Sequence, residues 1–372
     1  MNSEKITSRQ LILLITTFGL SVTISYMFAL NLPPSNQDVW IMILLSFVYS
    51  LIFRIPLLFL NNKFPELTLV EMLEKILGKF AGKFFGLFYA LYFMAYTIFI
   101  LILQTQMTGI NILASTPNWL IIGLTTIACL YIGSKDLVMM CWTGELVTSI
   151  SLFSIVLLIL LGLKNVNFTL LLPILSDSTF AEINKGAIMF SFLTTDVFVL
   201  IKASPFLENK KNVYKIFVYS SLFFTIICAI AVAVTQGALG LEQARHTIYP
   251  FLIYTRIINF TAAFERIDVV FVTTWIAINT GRVAFFMYFG YMALKDVFNI
   301  DKSKVLFIVI GILIGIISIY IANNMTIVVA QSMINLALML STAIFVTIIP
   351  LIAMIVYFFR RRSLDTEKLS EN

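Results

Sequence analysis

Thr16-Thr17-Phe18-Gly19-Leu20-Ser21-Val22-Thr23-Ile24-Ser25 lies in the middle of an apolar run over residues 10–30, and Phe192-Leu193-Thr194-Thr195-Asp196-Val197 holds the same central place in the run 186–204. Hydroxyl-bearing and small residues at such positions either bond back to the preceding turn and let helices pack closely, or mark where a spanning helix unwinds. Their matching position in the two halves of the chain points to unwinding, and so to a pair of broken helices facing each other.

The rest of the chain fits that frame. Of its 372 residues, 60% are hydrophobic and 12% charged, too few polar groups to cover a water-soluble domain. Apolar runs fall at 10–30, 39–60, 84–110, 118–134, 138–162, 186–204, 214–239, 266–293, 304–322 and 333–358. At about 20 residues per span, ten spans take roughly 200 residues, well within the hydrophobic content. The first run is longer than a signal-peptide core and has no small-residue cleavage site, so it reads as a retained span.

Basic residues alternate from connection to connection. Lys5, Arg9, Lys63, Lys75, Lys79, Lys83, Lys135, Lys202, Lys210, Lys211, Lys215, Lys295, Lys302, Lys304, Arg360, Arg361, Arg362 and Lys368 fall on one side; Lys164, Lys185, Arg245, Arg256 and Arg266 fall on the other. The positive-inside rule then puts both termini in the cytoplasm. The +6 formal charge is explained by this topology; the cations form no stripe with interleaved aromatics, so nucleic acid is not expected as a partner. The expected fold is an all-α polytopic membrane protein, ten transmembrane helices in a five-plus-five inverted repeat with helices 1 and 6 broken. A single membrane domain spans 1–358, with repeats 1–163 and 164–358, and a charged tail, expected to be disordered, occupies 359–372.

Four ionisable residues fall inside spans: Arg54, Glu145, Asp196 and Arg282, and each is costly there unless paired or hydrated. At about 1.5 Å per residue, Arg54 and Glu145 lie at similar cytoplasmic-side depths and could meet as a gate or static pair, while Asp196 and Arg282 both reach the bilayer middle. The pattern predicts a small polar ligand between spans 1, 3, 6 and 8, contacted by Gly19, Ser21, Thr23, Tyr96, Thr194, Thr195, Asp196 and Thr274. Unwound backbone there would offer N–H groups and C=O groups to the carboxylate and amine of a zwitterion. Cys129, Cys141 and Cys228 lie in or at the ends of apolar runs and read as small core residues. His246 reads as a solvated loop residue, and no metal-ligand spacing, catalytic triad or phosphate-cradling loop is present, so no metal or other cofactor is expected. Thr68-x-x-Glu71 with Leu69, Leu73, Ile76 and Phe80 predicts a capped interfacial helix over 66–80.

Several segments resemble the spore-germination permeases, the B subunits of nutrient-germinant receptors in endospore-forming bacteria, within the wider amino acid/polyamine/organocation transporter group. They are Ile6-Thr7-Ser8-Arg9-Gln10-Leu11, Gln37-Asp38-Val39-Trp40, Phe64-Pro65-Glu66-Leu67-Thr68-Leu69, Ile76-Leu77-Gly78-Lys79 with Gly82, Thr116-Pro117, Leu172-Pro173-Ile174-Leu175, and Phe264-Glu265-Arg266-Ile267-Asp268 with Trp275-Ile276. Each is weak alone; their order and spacing along nearly the whole chain carry the likeness. In span 1 the chain departs from the family's glycine-rich break, with Gly19-Leu20-Ser21-Val22-Thr23 in its place.

The resemblance implies a five-plus-five inverted repeat, a role in sensing a small nutrient germinant in the bacterial cell membrane or spore inner membrane, and two partner subunits, a larger membrane protein and a lipoprotein. An ion-coupled amino-acid symporter shares the architecture and is the alternative reading. An intramembrane enzyme is disfavoured, because the acidic residues are dispersed and form no cluster near one interface.

Overall fold

The computed structural model describes residues 5–258, 267–324 and 336–370, and side chains through Arg361. The described residues are helical apart from their connections and one backbone bridge, in which Ile6 N–H donates to Phe206 O (2.9 Å) and Glu208 N–H to Ile6 O (3.1 Å). Among the described residues, eight helices are long and apolar enough to cross a membrane. Of the ten expected runs, the fourth is a shorter apolar helix, α5 (Asn118–Gly133), and the sixth is split in two.

Helix α1 (Ser8–Tyr26) opens with a capping box in which Thr7 and Gln10 each take the other's backbone N–H. It then runs unbroken through the polar stretch, which corrects the expected mid-span break within residues 16–25. The hydroxyls themselves explain why: Thr17 donates to Leu13 O, Ser21 to Phe18 O (2.9 Å), Thr23 to Gly19 O (2.7 Å) and Ser25 to Ser21 O (2.7 Å). Spent on the helix's own carbonyls, they leave its backbone ladder closed. The interruption comes instead at Met27, in the left-handed region at φ 41°, before a short 3₁₀ turn at Phe28–Asn31.

Helices α2 (Val39–Lys63), α3 (Leu69–Leu77), α4 (Lys79–Asn111), α5 and α6 (Leu137–Gly162) follow. The Thr68/Glu71 capping box of α3 forms, and Leu69, Leu73 and Ile76 are buried. Phe80 does not continue that face: Gly78 at φ 92° turns the chain into α4, where Phe80 is 88% exposed. Next come α7 (Phe180–Ser191) and α8 (Val197–Ala203), separated by Phe192–Asp196, then α9 (Val213–Leu239) and the short loop helices α10 (Leu241–His246) and α11 (Pro250–Arg256). His246 sits exposed in that loop, 3.4 Å from Glu242. Asp268–Phe298 forms α12 and Lys304–Asn324 forms α13. The last span, Leu336–Arg361, includes a π-helical turn at Ala343–Ile348 whose Phe345 carbonyl accepts from Tyr89 Oη (2.6 Å), and continues as α14 (Ile349–Ser370). The tail expected to be disordered is thus helical to Ser370, in keeping with its Arg, Leu, Glu and Lys content.

Packing centres on α4 against α12 and α1 against α9, with α2 on both α7 and α9, and α13 on α4 and α5. Close approach of α5 and α13 uses Gly311 and Gly315, a small-xxx-small pair; a Cβ on Gly311 would come within 2.5 Å of Leu130. Two family-like segments latch together outside the bundle. The buried Asp38 carboxylate accepts from Leu175 N–H (3.1 Å) and Ser178 Oγ (2.5 Å), while Gln37 Nε2 donates to Pro173 O (3.0 Å). Cys129, Cys141 and Cys228 are buried and unpaired.

Candidate functional site

The split between α7 and α8 is held open by an arginine from another helix. Arg54 of α2, 2% exposed, donates from one terminal nitrogen to Ser191 O (2.7 Å), Thr194 O (2.7 Å) and Thr194 Oγ1 (3.0 Å). Ser191 is the last residue of α7, where a helix leaves acceptors unmet and carries partial negative charge, and Thr194 lies in the link to α8. A guanidinium there compensates both the lost ladder bonds and its own burial. This corrects the expected Arg54–Glu145 pairing: Glu145 accepts from Gln10 Nε2 (2.8 Å) and lies 3.8 Å from Arg9, tying α6 to the start of α1. The side chains at similar depth point to different neighbours, which depth arithmetic cannot distinguish.

The interrupted segment ends at Asp196, which does not cap α8 with its side chain. Its Oδ2 accepts from Arg282 of α12 at 2.8 Å, and the same Arg282 nitrogen donates to Tyr96 Oη of α4 (2.5 Å). Arg282 and Asp196 are 2% and 3% exposed. The ring of Tyr96 also lies 5.4 Å from the guanidinium carbon, in cation–π range. This cluster leaves Asp196 Oδ1 and Arg282 Nε and Nη1 without a hydrogen-bond partner among the described residues. Buried polar atoms left in that state are costly unless water or a ligand reaches them.

A cavity of about 30 Å³ adjoins the cluster, lined by Gly19, Ser50, Arg54, Thr194, Asp196 and the α9 face. It has room for one or two waters. Gly19 matters because it has no side chain: a Cβ there would meet the Phe224 ring at 2.9 Å and stand 3.6 Å from Asp196 Oδ2. Two arginines and one carboxylate give the centre an excess of positive charge.

Of the residues expected from sequence, Gly19, Tyr96, Thr194, Asp196, Arg54 and Arg282 gather around this centre, with Thr195 fully buried beside Asp196. Ser21 lies one turn away, its hydroxyl 3.2 Å from Asn279 Oδ1 as a second, longer acceptor beside Phe18 O, while its carbonyl accepts from Trp275 Nε1 (2.7 Å). Thr23 is spent on Gly19 O. Thr274 bonds back to Val270 O (2.8 Å) and does not line the cavity. Sequence reasoning missed Ser50, Ser220, Ser221 and Phe224, which line the cavity together with Ile15, Val197 and Phe217. The Ser220-Ser221 pair in an apolar run was a visible signal, while the ring of Phe224 carried none.

A family profile described as "Spore germination protein" matches residues 5–326. Spore germination protein YndE of Bacillus subtilis (strain 168) is 24% identical to the chain over 319 residues, covering 84% of this chain and 85% of that protein.

Proposed function

Because the chain belongs to the spore germination protein family and is a multi-pass integral membrane protein, we propose that it is the permease-like subunit of a nutrient-germinant receptor. It binds a small polar germinant, an amino acid or similar metabolite, at mid-membrane and passes the signal to a larger membrane subunit and a lipoprotein. The observation that carries this reading is the buried Arg282–Asp196–Tyr96 cluster at the interruption between α7 and α8, in which Asp196 Oδ1 and two Arg282 nitrogens have no partner among the described residues and Asp196, with Arg54, lines a cavity. Asp196 Oδ1 offers an acceptor to an ammonium, and the arginines offer donors to a carboxylate. Gly19, Tyr96, Thr194 and Thr195 would contact the ligand. Ser21, Thr23 and Thr274 take no direct part in the site proposed here.

A cavity with room for one or two waters does not admit such a metabolite, so binding requires it to widen, and the Gly19–Phe224 contact between α1 and α9 borders it. That requirement suits a sensor, because only a ligand with differential affinity for two states shifts an equilibrium. Ten spans in two inverted repeats, 1–163 and 164–358, complete the proposal, with α5 as span 4, α7 and α8 together as span 6, and both termini cytoplasmic. Contacts of span 1 with span 7 and of span 6 with span 2 correspond under a five-span shift, as do those of span 4 with span 8 and span 9 with span 3, which supports the repeat.

The test is thermal stabilisation of the purified protein by a panel of amino acids, nucleosides and sugars. One class should raise the melting temperature of the wild type and leave a folded Asp196→Asn variant unmoved; stabilisation of both alike removes Asp196 from the site. Accumulation of that compound in proteoliposomes under an ion gradient would instead identify a symporter.

A further inference from the structure

Away from the central cluster, two apolar grooves open on the lipid-facing side of α5 and share Tyr131 and Lys135. The first, about 500 Å³, lies among α5, α12 and α13, with Leu130, Tyr288 and Phe307 on its walls and Lys135, Lys302 and Lys304 at its mouth. Ser303 N–H donates to Tyr291 Oη (2.9 Å), fixing the α12–α13 link that carries two of those lysines. The second, about 390 Å³, runs between α5, α6 and α12 and ends at Phe18, Gly281 and Phe285. Tyr131, 67% exposed, forms the ridge between them, and Lys135 Nζ stands 4.8 Å from its ring centre.

We infer that this face binds one anionic diacyl phospholipid, its phosphate held by Lys135, Lys302 and Lys304 and one acyl chain lying in each groove on either side of Tyr131. Charge and position select this occupant. Three lysines against the single carboxylate of Asp136 ring the mouth of an apolar channel. The flanking surface, including Ile127 at 65% and Ile308 at 46% exposed, is hydrocarbon-facing. A soluble anion would use the lysines and leave the apolar grooves empty, and a neutral lipid would use the grooves and leave the lysines unmatched. The second groove ends against Phe18, whose ring meets Phe285 edge-on at 5.5 Å and whose chain neighbour is Gly19. An acyl chain there touches the residue preceding the central cavity, so lipid occupancy is sensitive to the position of α1.

The experiment is native mass spectrometry of the purified full-length protein with phosphatidylglycerol, phosphatidylcholine of the same chains, lysophosphatidylglycerol and inorganic phosphate. The expected result is one phosphatidylglycerol per chain, retained about tenfold more strongly than phosphatidylcholine. The Lys135→Ala/Lys302→Ala/Lys304→Ala variant should lose that preference, while Lys210→Ala/Lys211→Ala, on the same basic side, should keep it. Ala277→Phe, filling the second groove, should weaken the diacyl lipid and spare the lyso form. Each variant is first shown to be monodisperse with unaltered melting, and single lysine variants serve if the triple variant is not. Equal retention of both headgroups, an unchanged triple variant, or displacement by inorganic phosphate alone would each overturn the inference; the last would make the lysines a site for a free anion.

Discussion

Asp196 and Arg282 carry opposite charges in a place with almost no water, and such a pair is worth most when one member is removed. Asp196→Leu should destabilise the folded protein by about 3–5 kcal/mol, because Arg282 is left buried and uncompensated. The double variant Asp196→Leu/Arg282→Met should recover most of that loss; both are read by chemical unfolding in detergent, and an additive double variant would mean the pair is not coupled. Gly19→Ala drives a methyl group into the Phe224 ring and should cost about 1–3 kcal/mol by the same assay. Both residues stood out in the sequence, Asp196 for its charge and Gly19 for its place among hydroxyls. The partner of Arg54 did not, because a guanidinium that binds main-chain carbonyls has no complementary residue type to search for.

Among the helices, the interruption between α7 and α8 depends on Arg54 and on a well-formed α7. Arg54→Leu should free the Ser191 and Thr194 carbonyls and raise hydrogen exchange across 190–199 by tenfold or more, about 1.4 kcal/mol, without equal change in α9. The N-terminal end of α7 is capped by Thr179 and Glu182, and Thr179→Ala should cost about 1 kcal/mol of local stability. The Thr179 backbone N–H, 2.9 Å from Glu182 Oε2, holds that exposed carboxyl below its ordinary value of 4.5, with the Thr179 hydroxyl contributing further. A folded-state value below the unfolded one gives stability that is present above the ordinary carboxylate range and is lost as pH falls through the folded value. Amide protection factors at the α7 N-terminus, with the intrinsic pH dependence of exchange divided out, should therefore fall on acidification in the wild type and be flat with pH in Glu182→Gln. Helix existence was legible from apolar runs, and the α3 cap from Thr68-x-x-Glu71. The location of the first-span break was not, since the same hydroxyls that can replace a backbone bond can equally be absorbed by it, as Thr23 and Ser25 are.

For the molecule as a whole, the segregation of lysines and arginines makes a topological prediction that the buried native cysteines leave easy to check. A cysteine placed at Lys302 should react with a membrane-impermeant maleimide only from the cytoplasmic side, and one at Lys164 only from the opposite side; labelling of both from one side would refute the ten-span arrangement. The family-like segments also acquire reasons at this scale. Thr7 and Gln10 cap the start of α1, with Gln10 also gripping Glu145, and Asp38 clasps the stretch around Leu175 at the other end of the bundle. What stayed hidden was tertiary: which arginine meets which acceptor depends on helix rotation, and apolar sequence is nearly silent about rotation in a solvent as apolar as itself. The short bridge between Ile6 and Leu207 has a mechanical corollary. Two main-chain bonds fasten Ile6, just ahead of α1, to the link just beyond α8, so that segment serves as a handle: a neighbour that tugs on it transmits force to the backbone bearing Asp196 without touching the bilayer interior.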